Sequence, residues 1–356
     1  MLTRETLADP VALTRALVDV ESVSGNEAEL ADLVEAALRQ QAALKVERIG
    51  NTLVARTDLG LPERVVLAGH LDTVPLAGNF PSTVGDGVLL GCGTSDMKSG
   101  LALALHLATT QSATGTRYDV TYVFYDCEEV DSDRNGLNRL TRSQPELLTD
   151  AAFAILLEPT YGLVEAGCQG TLRALARATG RRAHSARSWL GRNAIHAAAP
   201  ILAKLHAYSP RSVTIDGCTY REGLNAVRIG GGVAGNVIPD ECWVEVNFRF
   251  APDRSEQDAA RHVRELFKGF EIEVVDTAPA AMPGLSAPPV REFLAAVGEP
   301  PRAKLGWTDV ARFAALGIPA LNFGPGDPNL AHKPDERVEL EKIRTGTEVL
   351  RRWLCG

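Results

Sequence analysis

The side chains best suited to chemistry in this sequence stand just after short apolar runs. Val65-Val66-Leu67-Ala68 leads into Gly69-His70-Leu71-Asp72, and strand alternation puts His70 and Asp72 on one side, two residues apart. A carboxylate beside an imidazole can fix the tautomer and orientation of a metal-ligating histidine, although structural His–Asp pairs are common. Asp96 follows a glycine-rich turn (Gly91, Gly93) and precedes a helical run over 97–110, where an aspartate serves either as an N-cap or as a ligand. A second strand, 119–125 (DVTYVFY), ends on Asp126-Cys127-Glu128-Glu129, and a third, 152–157 (AFAILL), ends on Glu158-Pro159. A late Gly/Pro-rich loop, GPGDPNLAHKPDE, carries His332. One polar strand end is ordinary. Three of three point to a shared site, because open α/β sheets build their sites at the carboxyl ends of strands.

His70, Asp96, Glu129, Glu158 and His332 together supply two imidazoles and three carboxylates. That mixture suits zinc or a related divalent ion better than magnesium or calcium. Five protein ligands are too many for one open tetrahedral site. They fit two metals that share a carboxylate and lie about 3.5–4 Å apart. Asp96, at a helix start between two strand ends, is the natural bridge. Glu128, adjacent to Glu129 and not needed as a ligand, is then free to act as general base toward a water whose pKa the metals lower to roughly 7.

The elements that must position these residues follow the chain. Asp9-Pro10 starts one helix, and Ser24 with Glu27 makes a capping-box pattern for another. Residues 46–56, broken at Gly50-Asn51, read as a hairpin. From about Gly170 the texture changes. Strands over 171–178, 224–231, 242–250 and 271–275 with helices over 193–208 and 253–268 give the order β-α-β-β-α-β of a small ferredoxin-like domain. The segment 277–289 (TAPAAMPGLSAPP) reads as a linker. After it come helices over 290–297 and 309–316, a strand over 319–323 and a closing helix over 339–353. The expected organisation is α/β: a mixed-sheet catalytic domain over 1–169 and 285–356, with an α+β domain inserted over 170–284.

Composition excludes other classes. The 356 residues are 45% hydrophobic with a formal charge of −8, which argues against nucleic acid or an anionic membrane surface as main partner. The N-terminal stretch has no apolar signal core, and no apolar run approaches spanning length. Six scattered cysteines without a CxxC pair suit a reduced cytoplasm. Gly91-x-Gly93 lacks the third glycine of a dinucleotide loop, and Lys98-Ser99 lacks a P-loop frame. His106, His196, His206 and His262 fall on helices and read as structural, and Cys127 reads as core.

GHLDTVP, GCGTSDMKSG, CEE, LEPT and AHKPDE, in that order, resemble the motif series of the M20 family of dinuclear zinc amidohydrolases and peptidases. The resemblance covers essentially the whole chain. It implies a zinc-peptidase catalytic domain whose inserted ferredoxin-like domain makes a homodimer, with two Zn2+ ions as cofactor and Co2+ as the alternative. It places His70 and Glu158 on one metal, Glu129 and His332 on the other, and Asp96 between them. Asp72 would orient His70, and Glu128 would be the base. His184, by position a loop residue, would stabilise the oxyanion in the partner's active site. Asn236 and Arg249 would contact a substrate carboxylate, although Arg249 also fits a sheet-face salt bridge. Thr308 joins them from Gly306-Trp307-Thr308-Asp309, where relatives carry Gly-Thr-Ser-Asp. The longer matching stretches, among them GCQGTLR, RAHSARSWLGRNAIH and NVIPDECWVEVNFRFAP, imply hydrolysis of the N-succinyl amide of LL-2,6-diaminopimelate, a small N-acyl amino acid. Another deacylase or exopeptidase of the family, such as acetylornithine deacetylase, is the alternative. A metal-free binding protein on this scaffold would not need the complete ligand set.

Overall fold

The structure is a computed structural model that describes residues 2–111 and 115–356. Two compact units emerge, one of residues 1–166, 283–302 and 312–356, the other of 167–282 and 303–311.

The first unit is organised by a mixed sheet. Its four central strands run parallel in the spatial order Asp119–Tyr125, Arg64–His70, Ala151–Leu156, Ala320–Asn322. Antiparallel Thr52–Arg56 and Glu165–Ala166 flank them, and the Lys45–Ile49 strand pairs with the former as the expected hairpin. The central strands are buried on both faces, which is why they read as unbroken apolar runs rather than alternations. Helix Lys98–Thr110 packs on the sheet with ten of its thirteen residues buried. Gly100 on that helix lies against the end of the third strand, where a Cβ would come within 2.0 Å of Leu157 O, so only glycine permits the approach. Helix Leu340–Cys355 closes the unit through Trp353, whose ring meets Tyr118, Phe153 and Phe293.

Of two local expectations, one holds and one fails. Asp9 caps Pro10–Val18 as read, accepting from Val11 N at 2.9 Å. Ser24 and Glu27, however, form no capping box. Helix Ala28–Leu38 starts without a side-chain cap, because both side chains are engaged elsewhere: Ser24 Oγ donates to Asp72 Oδ2 at 2.6 Å, and Glu27 Oε1 accepts from nearby Gly25 N and distant Cys127 N.

The second unit holds a four-stranded antiparallel sheet in the spatial order Gly223–Gly231, Glu241–Phe250, Gly170–Thr179, Glu271–Ala278. With helices on one side, this is the split βαβ arrangement. Its core comprises Leu172, Val244, Val246, Phe248, Val263 and Phe267, among others. The helix expected over 193–208 is two pieces, Ala194–Ala197 and Ala199–His206, broken ahead of Pro200, which has no N–H for the continuing ladder. The hairpin Ser212–Ile215/Cys218–Arg221 was not foreseen. The stretch 277–289 is not a free linker. Its start belongs to the last strand, and Ala281 exchanges both backbone bonds with Cys168 at 3.0 and 3.1 Å. Residues 303–311 also fall in this unit rather than with the C-terminal part of the first. Gln169 N donates to Lys304 O, Cys168 Sγ to Thr308 O, and Trp307 Nε1 to Pro279 O.

Candidate metal centre

In the first unit, the carboxyl ends of the parallel strands bring His70 and Glu129 together, and Asp96 and His332 join them from loops. His70 closes its strand and is paired with Tyr125 in register. Leu71 N still bonds Tyr125 O at 2.7 Å, so Cys127 and Glu128 arrive beside Asp72. On the other side, Ala68 pairs with Leu156, and two more residues bring Glu158 level with His70. Glu158 is 6% exposed. Donor atoms of His70, Asp96 and Glu129 all lie within 4.8 Å of one another.

Asp96 is no N-cap: the helix begins at Lys98 with no side-chain cap. Its carboxylate instead divides between two imidazoles. Oδ1 lies 3.2 Å from His70 Nε2, and Oδ2 lies 3.4 Å from His332 Nε2. His332 Nε2 also stands 2.9 Å from Glu129 Oε1. His332 has φ +63°, a left-handed conformation uncommon for a residue with a Cβ and typical of constrained functional positions.

Asp72 does more than was expected of it. Its backbone carbonyl, at 3.0 Å, is nearer to His70 Nδ1 than its carboxylate, at 3.5 Å. The carbonyl thus fixes the ring with Nε2 turned to Asp96. The fully buried carboxylate accepts from Glu128 N at 2.9 Å, Glu129 N at 3.0 Å and Ser24 Oγ. It is therefore the anchor of the turn that carries Glu128 and Glu129. Neither Ser24 nor this anchoring was read from sequence. The only local signal was the Ser-x-x-Glu pattern, which also fits a cap.

The electrostatics are those of a donor set short of positive charge. Burial works to discharge His70, but the Asp72 and Asp96 carboxylates overcome it and raise the ring well above its ordinary value. Burial likewise opposes the charge on Asp96, yet its two imidazole partners hold it well below the ordinary carboxylate range. Bonds from Asp96 and Glu129 raise His332 to about 10. In the metal-free protein the imidazoles thus carry protons in the place where a cation fits. The sign of the consequence is definite. A histidine raised from 6.5 to about 10 on folding contributes stability that is complete below pH 6.5 and lost as pH rises through about 10. Chelator-treated protein is therefore expected to lose thermal stability across that window more steeply than its His332→Asn variant. Metal loading should flatten the difference, since ligand imidazoles must be neutral. Parallel profiles for the two metal-free proteins would contradict this.

A second group, Glu27, Asp126 and Cys127, also brings three donor atoms within 4.8 Å. Its donors are already engaged. Asp126 takes both an Arg139 nitrogen and the Thr52 hydroxyl, and Glu27 takes the Cys127 thiol and amide. It holds the strand end in place, and Cys127 is core as expected.

The remaining expected residues lie in the second unit. Exposed His184 forms the two-residue strand Ala183–His184, paired with Val237–Ile238, rather than a loop. Its neighbour Ser185 donates to Asn236 O at 2.9 Å, so the structure brings His184 and Asn236 together. Ala186 N donates to His184 Nδ1 at 3.1 Å, which leaves the proton of the neutral ring on Nε2. Arg249 is half-buried on Glu241–Phe250 and donates through Nε to Asn247 Oδ1 at 3.2 Å. No carboxylate pairs with it among the described residues, and burial alone lowers its pKa. The salt-bridge reading therefore fails. Thr308 is buried near the start of helix Val310–Ala315. His106 and His262 are structural, bonded to Leu7 O and Tyr208 Oη.

Residues 66–355 match peptidase family M20/M25/M40. The sequence is 57% identical over 351 residues to the Mycobacterium tuberculosis protein DapE, covering 98% of each chain. It is 51% identical over 357 residues to the Corynebacterium glutamicum succinyl-diaminopimelate desuccinylase, covering 98% of this chain and 96% of that one. A solved Bacillus subtilis structure, described as a dinuclear metal binding peptidase from the M20 family, aligns with a TM-score of 0.71 at 14% identity over 99% of this chain and 98% of the other. At that identity the likeness speaks to the fold alone. All five motifs fall within the matched span, and the chain belongs to peptidase family M20/M25/M40.

Proposed function

We propose that this chain hydrolyses N-succinyl-LL-2,6-diaminopimelate to succinate and LL-2,6-diaminopimelate, a step toward diaminopimelate and lysine. The observation that carries the substrate is the 51% identity, over nearly the full length of both chains, to a succinyl-diaminopimelate desuccinylase. The experiment is a comparison of N-succinyl-diaminopimelate, N-acetylornithine and simple dipeptides as substrates of the purified protein. Succinate release should exceed the other two hydrolyses by orders of magnitude. Preference for acetylornithine or a dipeptide would overturn the assignment.

The donor set fits two divalent ions, zinc with cobalt as the alternative. His70, Asp96, Glu129, Glu158 and His332 would hold them, with Asp96 shared, as its two oxygens facing two imidazoles support. When bound, such ions polarise the amide carbonyl and lower the pKa of water to about 7. The protein's own groups do the rest. Asp72 holds the turn that presents Glu128. The Glu128 carboxylate takes a proton from the attacking water and returns it to the departing amine. His184 offers its Nε2 proton to the oxyanion. That histidine serves the partner subunit's site in a homodimer. Support for the dimer comes from the edge strand Gly223–Gly231, which leaves Val227 and Ile229 51% and 53% exposed, an apolar edge suited to a second copy. Among the described residues no helix is long and apolar enough to cross a membrane. All six cysteines are free, which supports a reducing, cytoplasmic setting.

A succinyl group presents a free carboxylate, and Arg249, a half-buried guanidinium without an acidic partner among the described residues, is assigned to it together with Asn236; Thr308 joins as a further substrate contact. Loss of such a charge-assisted contact costs on the order of 1.5–3 kcal/mol. Arg249→Ala should therefore lower kcat/KM for succinyl substrates roughly ten- to hundredfold and spare neutral acyl analogues. Equal losses on both, in folded protein, would remove Arg249 from this role.

A further inference from the structure

The loop that delivers Asp96 is held by one side chain. Glu336 is 2% exposed, and its carboxylate accepts three backbone N–H groups: Gly93 N on Oε2 at 3.1 Å, Ser95 N on Oε1 at 2.8 Å and Asp96 N on Oε1 at 3.0 Å. The main chain repeats the tie, since Gly91 N donates to Glu336 O at 3.0 Å. Gly93 has φ +81°, a left-handed turn that lets successive amides converge on one anion. Glu336 follows His332 by four residues, and the short turn between them is closed by Glu336 N donating to Lys333 O. The residue that grips the Asp96 loop thus belongs to the segment that carries His332.

We propose that Glu336 is a positioning residue that clamps the Asp96 loop to the His332 loop and so sets the spacing of the shared carboxylate between the two imidazoles. The inference rests on the reading of Asp96 as the ligand common to both ions. Glu336 is not itself a ligand, because both its oxygens are turned to backbone amides. Its bond to Asp96 N fixes the peptide from which that carboxylate projects. With the clamp released, Asp96 Oδ1 and Oδ2 need not face His70 and His332 together, and both ions should bind more weakly. Partners that orient ligands without touching the metal typically account for 10–100-fold in metal affinity.

The test is Glu336→Gln in the full chain, stripped with chelator and titrated with Co2+ by calorimetry and visible absorption. The amide keeps one acceptor for Ser95 and Asp96 but turns an NH2 toward the Gly93 N–H. Both Co2+ equivalents are expected to bind about ten- to hundredfold more weakly than in the wild type, with an altered d–d spectrum. Wild-type affinities and spectrum, or weakening of one ion only, would overturn the clamp. A purely structural role would instead lower the thermal midpoint and leave the Co2+ affinity of the folded protein unchanged. Should the variant not fold, Glu336→Asp, which keeps the charge but withdraws it by one methylene, carries the same expectation and the same refutation. A wild-type chain that itself takes up fewer than two Co2+ ions would defeat the two-ion reading instead, and so the two failures are distinct.

Discussion

Glu128→Ala is expected to retain both metal ions and its fold while losing at least about a hundred- to ten-thousandfold in kcat, the range for a positioned general acid–base. Glu129→Ala, next in sequence, is expected to lose metal. The structure makes the contrast sharp, because Glu129 lies 2.9 Å from His332 Nε2 within the donor group, while both residues hang from the same Asp72 carboxylate. Metal analysis and kcat on the two purified variants check it. A Glu128→Ala protein stripped of metal beside a fully loaded Glu129→Ala protein would reverse the assignment.

His184→Ala should be almost inactive as a homodimer, and so should Glu128→Ala, yet the two should complement each other. If His184 serves the partner subunit, a mixed dimer places both defects in one composite site and leaves the other intact. Unfolding and refolding an equal mixture gives mixed dimers as half of the population, each with one working site of two. About a quarter of wild-type activity should therefore return. Recovery should appear only after subunit exchange and not on simple mixing of the homodimers. No recovery despite proven mixed dimers would mean that His184 acts within its own chain or not at all.

Much of the first unit was legible because its strands obey a simple rule. Asp119–Tyr125 is buried along its whole length, so the apolar run and the strand share both ends. The polar residues that follow such strands lie where a parallel sheet opens to solvent, which is why His70, Glu129 and Glu158 could be picked out. What remained hidden depends on partners far along the chain. Ser24 and Glu27 carry a helix-cap signature, but a carboxylate 48 residues away claims Ser24. Glu336 sits inside a motif already noticed for His332, and nothing local distinguishes it from a surface acid. Residues 303–311 have no pattern that tells which unit they join, since a backbone bond from Gln169 to Lys304 and the Trp307 indole bond to Pro279 O decide it. Arg249 looked equally like a salt-bridge residue, and only the absence of a carboxylate beside it among the described residues separates the two readings.

That His70, Asp96, Glu129, Glu158 and His332 hold two divalent ions needed for desuccinylation is the central proposal. It is tested most directly by stripping the protein with chelator and following succinate release from N-succinyl-LL-2,6-diaminopimelate as Zn2+ is restored. Turnover should be negligible in the stripped protein and should reach its maximum at about two equivalents per chain. Undiminished turnover by protein shown to hold no metal would contradict it.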